Sequence, residues 1–104
     1  MKNIFWTAYT NQERHEAITA TQNVISKFGS ITDFKPFSDI SLSIIVEIEA
    51  RKLTDLYKAL KEIISIDDHE KLHSDSTKEV NLYLNITFTK ATGKLRTEIP
   101  AVPG

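Results

Sequence analysis

The chain contains no cysteine and only three glycines and three prolines among its 104 residues. Without cysteine it can form no disulfide framework, no thiolate nucleophile and no cysteine-ligated zinc site. With so few glycines, we expect no glycine-rich loop that could cradle a phosphate group. The absence of cysteine fits the reducing cytoplasm, which is the location that we expect.

The sequence also lacks an excess of charge of either sign and any long apolar run. Lys and Arg number 13 and Asp and Glu 14, so the formal net charge is −1. This balance gives no general attraction to nucleic acid or to an anionic membrane, and we expect neither as a partner. No apolar stretch is long enough for a membrane span, and the first one is too short for the core of a signal peptide. A single globular domain over residues 1–104 is the prediction.

Strict alternation of apolar and polar residues predicts the strands. Residues 40–49 and 80–89 each place apolar side chains on one face and mostly polar ones on the other. Residues 3–9 predict a first strand with aromatic side chains on both faces. Residues 30–37 predict a poorer strand, because its alternation is broken and Pro36 cannot donate to a ladder. We therefore expect an edge position or a bulge there, and a hairpin over residues 30–49.

Helical spacing of apolar residues predicts two helices, over residues 11–28 and 51–64. For the first, Thr10 and Glu13 form a capping-box pattern, and Gly29 is expected to supply a left-handed cap. Residues 66–79 are polar, and we predict a loop or a frayed helix end there.

The order of these elements, βαββαβ, matches the ferredoxin-like plait. It predicts an α+β, two-layer sandwich in which two helices cover one face of a four-stranded antiparallel sheet. Residues 90–104 have a turn signal, weak alternation and two prolines. They predict either a short fifth edge strand or an arm laid on a partner.

Within the plait, the order and the short elements resemble those of ACT-type ligand-sensing domains. The resemblance implies a domain that dimerises and binds a small molecule. In that family the ligand approaches the turn between the first strand and the first helix, which in this chain is Tyr9-Thr10-Asn11 and has no glycine.

Four large side chains are expected on the sheet face that the helices leave open. They are Phe5, Tyr9, Ile45 and Tyr83. RNA-recognition modules stack bases on such aromatics, but Glu47 and Glu49 on the same face would repel phosphates. We therefore interpret the four residues as a binding face for a second copy of the chain or for a ligand.

Residues His69, Glu70 and His73 spell H-E-x-x-H, which on a helix can hold zinc and activate a water molecule. The surrounding sequence lacks the apolar stripe of a buried helix, and a third ligand is not evident. The preferred hypothesis is accordingly a non-enzymatic interaction or ligand-sensing module that acts as a homodimer and needs no cofactor. The alternative is a metal-binding protein or a small metal-dependent hydrolase that uses these three residues.

Overall fold

A computed structural model describes residues 2–69 and 76–89 of the chain. In chain order the elements are β1 (Asn3–Thr10), α1 (Arg14–Ile25), β2 (Gly29–Ser38), β3 (Ser41–Glu49), α2 (Leu53–Leu60), β4 (Ser65–His69) and β5 (Glu79–Phe88), with a short 3-10 turn at Ala50–Lys52 before α2. The expected fifth strand or arm over residues 90–104 lies outside the described residues.

The five strands form one mixed sheet in the order β2-β3-β5-β1-β4. β5 pairs antiparallel with β3 and parallel with β1, whereas β4 pairs antiparallel with β1 and β2 with β3. The predicted α+β class is confirmed, but the prediction of a four-stranded antiparallel plait is wrong. The difference arises because a strand forms in the polar segment and the last described strand enters the sheet between β3 and β1.

The buried residues of both helices join one core cluster with the inward side chains of the sheet. The inward side chains of β1, β3 and β5 are almost fully buried, and α1 and α2 cover them with three buried residues each. Those helix residues are Ala17, Thr21, Ile25, Leu53, Leu56 and Leu60. On the inner face, Trp6 meets Tyr57 edge to face, with the ring centres 5.8 Å apart. Neither helix in the described part of the chain is long and apolar enough to cross a bilayer.

Helix α1 is shorter than predicted and is capped differently. Glu13 is the N-cap and accepts a hydrogen bond from the Glu16 amide at 3.0 Å. The Thr10 hydroxyl instead accepts from the Gln12 amide, so the predicted capping box does not form. Gly29 is not a left-handed cap but the first residue of β2, where no left-handed backbone is required.

The poor strand β2 is both an edge strand and a bulged one, as its sequence predicted. A bulge between Ile31 and Asp33 lets Ile31 and Phe34 pack against the same core although their numbers differ in parity. A second irregularity follows between Pro36 and Ser38. The broken alternation of the sequence is therefore the signature of the bulge.

Strand β4 corrects the prediction that the polar segment starting at Ile66 is a loop. Residues 65–69 pair with β1, and Asp67 is the extra residue of a bulge in the pairing. Ile66 packs against the core, so a single apolar contact and the ladder hydrogen bonds hold this short strand at the edge. The rest of the polar segment up to residue 75 lies outside the described residues.

Candidate functional site

Three of the four residues expected on the open face lie in one row across the middle of the sheet. We call the outward side of β1, β3 and β5 the open face, and the row of Ile45, Tyr83 and Phe5 the central row. The ladder register places Ile45 opposite Tyr83 and Tyr83 opposite Phe5. The rings of Phe5 and Tyr83 stack with their centres 5.0 Å apart. Phe5 is 54% exposed, although Phe is a residue that folded chains usually bury.

The fourth residue, Tyr9, is separate from the central row. It lies on β1 four residues beyond Phe5, which is about 14 Å along a strand. Tyr9 is 44% exposed and is paired with Thr87 and Ser65. The structure therefore brings three of the predicted residues together and leaves the fourth at the end of the sheet.

Polar side chains surround the central row, and the carboxylates gather at one end. Glu47, Glu49 and Glu79 lie towards the start of β1, and Glu49 and Glu79 are direct cross-strand partners. Arg51 Nε donates to Glu49 Oε1 at 2.6 Å, and this hydrogen bond holds the pKa of the Glu49 carboxyl below its usual range. Glu47 and Glu79 are therefore the acidic groups that lack this compensation from Arg51.

The opposite end of the open face carries hydroxyl and amide groups, and the flanking strands add a lysine on β2 and Asp68 on β4, which pairs in register with Thr7. Lys35 pairs in register with Ser43, and its ammonium group is 4.0 Å from the Asp33 carboxylate. Both side chains are well exposed, so this ion pair contributes little to stability. Alternation alone does not place Lys35 on this face, because the bulge in β2 shifts the residues that follow it to the other side. The alternation of β5 does assign Glu79 to the open face.

Both edges of the described sheet are poorly suited to pairing with another strand. The outer strand β2 contains Pro36, which has no N–H group, as well as two irregularities. The outer strand β4 has only five residues, a bulge and two adjacent aspartates, Asp67 and Asp68. Bulges, proline and charge are the features by which natural sheets avoid edge-to-edge association. Neither edge of the described sheet therefore favours pairing with a further strand.

A cleft of about 390 Å³ lies where β1 ends and α1 begins, at the turn that the ACT-type resemblance associates with a ligand. It is lined by Tyr9, Thr10, Asn11, Gln12, Lys61, Glu62, Ile63, Ile64, Ser65 and Thr89. Gln12 Nε2 donates to the Ile63 carbonyl at 3.1 Å, and the Thr89 hydroxyl donates to the Thr10 carbonyl at 3.1 Å. Within the described residues, the two buried side-chain polar atoms without a partner belong to Arg14 and Thr21, which do not line this cleft. The cleft therefore offers a ligand no buried polar group that still needs a partner.

The H-E-x-x-H motif is only partly within the described residues. His69 is the last residue of β4 and pairs with Trp6 in an extended strand, not in a helix. Glu70 and His73 lie outside the described part of the chain. Among the described residues, no cluster of three or more histidines and carboxylates could hold a metal ion.

No family model, no curated protein and no solved structure matches the chain.

Proposed function

We propose that this protein is a non-enzymatic interaction module that acts as a homodimer in the cytoplasm through the open face of its sheet. The observation that carries the proposal is the central row, in which Ile45, Tyr83 and a half-exposed Phe5 cross the middle of the sheet side by side. Apolar groups gathered in one place on a face are typical of a surface that a partner covers.

Two further observations support a second copy of the chain as that partner. The central row lies in the middle of the open face, so two copies related by a two-fold axis can place their rows against each other. The bulged and charged edges disfavour association through additional strand pairing. The cleft at the Tyr9-Thr10-Asn11 turn is the place where we would look for a small-molecule ligand, but its geometry supports binding less strongly than the central row supports association.

The experiment that tests the proposal measures association of the full-length protein and of Phe5→Ser by sedimentation at micromolar concentrations. About half of the 150–250 Å² of a phenylalanine ring is exposed at Phe5, so burying it contributes about 2.5 kcal/mol per protomer. We therefore expect Phe5→Ser to weaken the dimer by at least tenfold while the protomer stays folded. A wild-type protein that remains monomeric in this range would refute the proposal.

The matched control is Phe37→Ser. Phe37 is the same residue type and is more exposed, at 66%, but it belongs to the far end of the edge strand β2 and not to the central row. We expect this variant to dimerise like the wild type. If Phe37→Ser weakened association as much as Phe5→Ser, the interface would lie at the hairpin end and the proposed face would be wrong.

The residues after β5 give the proposal a second test. The segment contains the apolar residues Leu95, Ile99, Ala101 and Val102. We propose that it contributes to the dimer by docking across the neighbouring protomer. Deletion of residues 94–104 should then weaken the dimer in sedimentation much more than it lowers the melting temperature at low protein concentration. A truncated dimer of undiminished affinity would remove the segment from the interface but leave the role of the central row intact.

A further inference from the structure

The charges on the open face distinguish two simple orientations in which two copies could pair. We infer that the two sheets of the dimer pack with their strands antiparallel, about a two-fold axis that runs along the central row. The inference rests on the proposed dimer and concerns how its two faces meet.

The ladder register divides the outward residues of β3, β5 and β1 into five rows. In order along the sheet they are Glu49/Glu79, Glu47/Asn81/Asn3, Ile45/Tyr83/Phe5, Ser43/Asn85/Thr7 and Ser41/Thr87/Tyr9. The central row is the third, with two rows on either side of it. Successive rows are about 7 Å apart, because each step is two strand residues.

Two in-plane orientations of the two-fold axis keep the apolar row of one protomer on that of the other. With an axis parallel to the strands, each row faces the same row of the partner protomer. The outer strands are exchanged, so that β3 faces β1 and β5 faces β5. With an axis along the central row, each strand faces the same strand of the partner protomer in the opposite direction. The rows are exchanged, so that the first row faces the fifth and the second faces the fourth. The apolar contacts alone do not distinguish the two, since Ile45, Tyr83 and Phe5 meet one another in both.

The carboxylates decide against the axis parallel to the strands. β5 is the middle strand of the sheet. With this axis it would face β5 of the other copy, and Glu79 would directly face Glu79. Glu47 and Glu49 of both copies would lie at the same end of the interface. Bringing like charges together while removing water from them is unfavourable, and the ion pair that the described residues show here joins Arg51 to Glu49.

The axis along the row places the same carboxylates against complementary groups. Glu79 then faces Thr87 of the other copy, and Glu47 faces Ser43, whose ladder neighbour is Lys35. Hydroxyl groups can donate to a carboxylate, and the long lysine side chain can reach one column across the face. Asp33 of β2 is in register with Ile45 and would face its own copy, but Lys35 of the same protomer lies 4.0 Å from its carboxylate and compensates it. The carboxylates of Glu47 and Glu79 thus meet hydroxyl groups when one copy is turned end over end.

Single cysteines test this orientation directly, because the natural chain has none. Under mild oxidation, Ile45→Cys should form a covalent dimer, since residue 45 faces its own copy only when the axis runs along the row. Asn85→Cys is the matched control on the same face. In the inferred orientation the two copies of residue 85 are about 14 Å apart along the strands and should not crosslink. An equimolar mixture of Asn81→Cys and Asn85→Cys should crosslink with each other, because their rows exchange.

Sedimentation of each reduced variant shows separately whether the dimer itself forms. A dimer in which Asn85→Cys crosslinks with itself as readily as Ile45→Cys would overturn the orientation and favour the parallel one. A dimer in which no variant crosslinks would also overturn it, because the two open faces would not be in contact. If the wild-type protein is a monomer, the proposed function itself fails and the orientation with it.

Discussion

Replacing Gly29 tests how closely the two strands of the β2–β3 hairpin approach each other. A Cβ atom added at Gly29 would lie 2.5 Å from the Glu47 carbonyl oxygen, 3.0 Å from Ile48 Cβ and 3.1 Å from Val46 Cγ1. The closest of these atoms belongs to the backbone of β3, so the strand must move to accept a side chain. Overpacking of this kind costs about 1–3 kcal/mol, and the loss of chain entropy in the unfolded state offsets about 0.4–1 kcal/mol for alanine.

We therefore expect Gly29→Ala to lower the free energy of unfolding by about 1–2 kcal/mol, which lowers the urea midpoint by about 0.5–1 M. Ser30→Ala is the neighbouring control on the exposed side of β2 and should unfold like the wild type. Gly29→Asn separates close approach from a left-handed cap, since a cap position tolerates asparagine. An asparagine variant clearly more stable than the alanine variant, or an alanine variant as stable as the wild type, would refute the reasoning.

Three further predictions concern the core, the histidines and an ion pair. Leu84→Ala should lower the free energy of unfolding by about 2–5 kcal/mol because the side chain is fully buried in the central strand, and a urea midpoint close to the wild-type value would contradict this. The double substitution of His69 and His73 by alanine should leave the melting temperature unchanged with or without zinc, whereas zinc-dependent stabilisation of the parent protein alone would favour a metal site. Because the pKa of Glu49 is lowered in the folded protein, its pairing with Arg51 stabilises the fold above the ordinary carboxyl range and is lost as the pH falls through the lowered value. The small difference in melting temperature between the wild type and Arg51→Gln should accordingly disappear in acid, and a difference that persists there would point to lost packing.

The alternation of the sequence predicted which face of each strand is buried, because successive side chains of a strand point to opposite faces. Leu42, Ile44, Val46 and Ile48 are all buried, and every other residue of β5 is buried in the same way. This pattern depends on local geometry alone and can therefore be seen in a single sequence.

The neighbours of each strand could not be predicted in this way. β4 has one apolar residue packed on the core, Ile66, and its pairing with β1 is a tertiary effect that no local preference of Ser65, Asp67 or Asp68 indicates. The position of β5 between β3 and β1 was also missed. Its alternation is as regular as that of β3, which is consistent with a central strand, but periodicity carries no information about which strand lies beside it.

In the candidate site too, the face of each residue could be predicted from the sequence, whereas its neighbours on other strands could not. Alternation placed Phe5, Ile45 and Tyr83 on one face, and the structure places them in one row because the registers of two ladders coincide there. Tyr9 shares their parity but not their row. The position of Lys35 depends on a bulge, whose presence the sequence indicated without fixing the register that follows it.

The place of β5 in the sheet has a consequence for how the chain folds as it is synthesised. β5 is the last described strand, yet it separates β3 from β1 and supplies the hydrogen-bonding partner of each. Until residues 79–88 have left the ribosome, the β2–β3 hairpin and the β1–β4 pair have no ladder in common, and the apolar faces of both stay without their central neighbour. Pairing the first strand with the last closes a loop of nearly the whole described chain, and such long-range contacts make folding slow. The β2–β3 hairpin and the β1–β4 pair should therefore persist as separate, aggregation-prone parts of the sheet in any nascent or truncated chain that ends before β5.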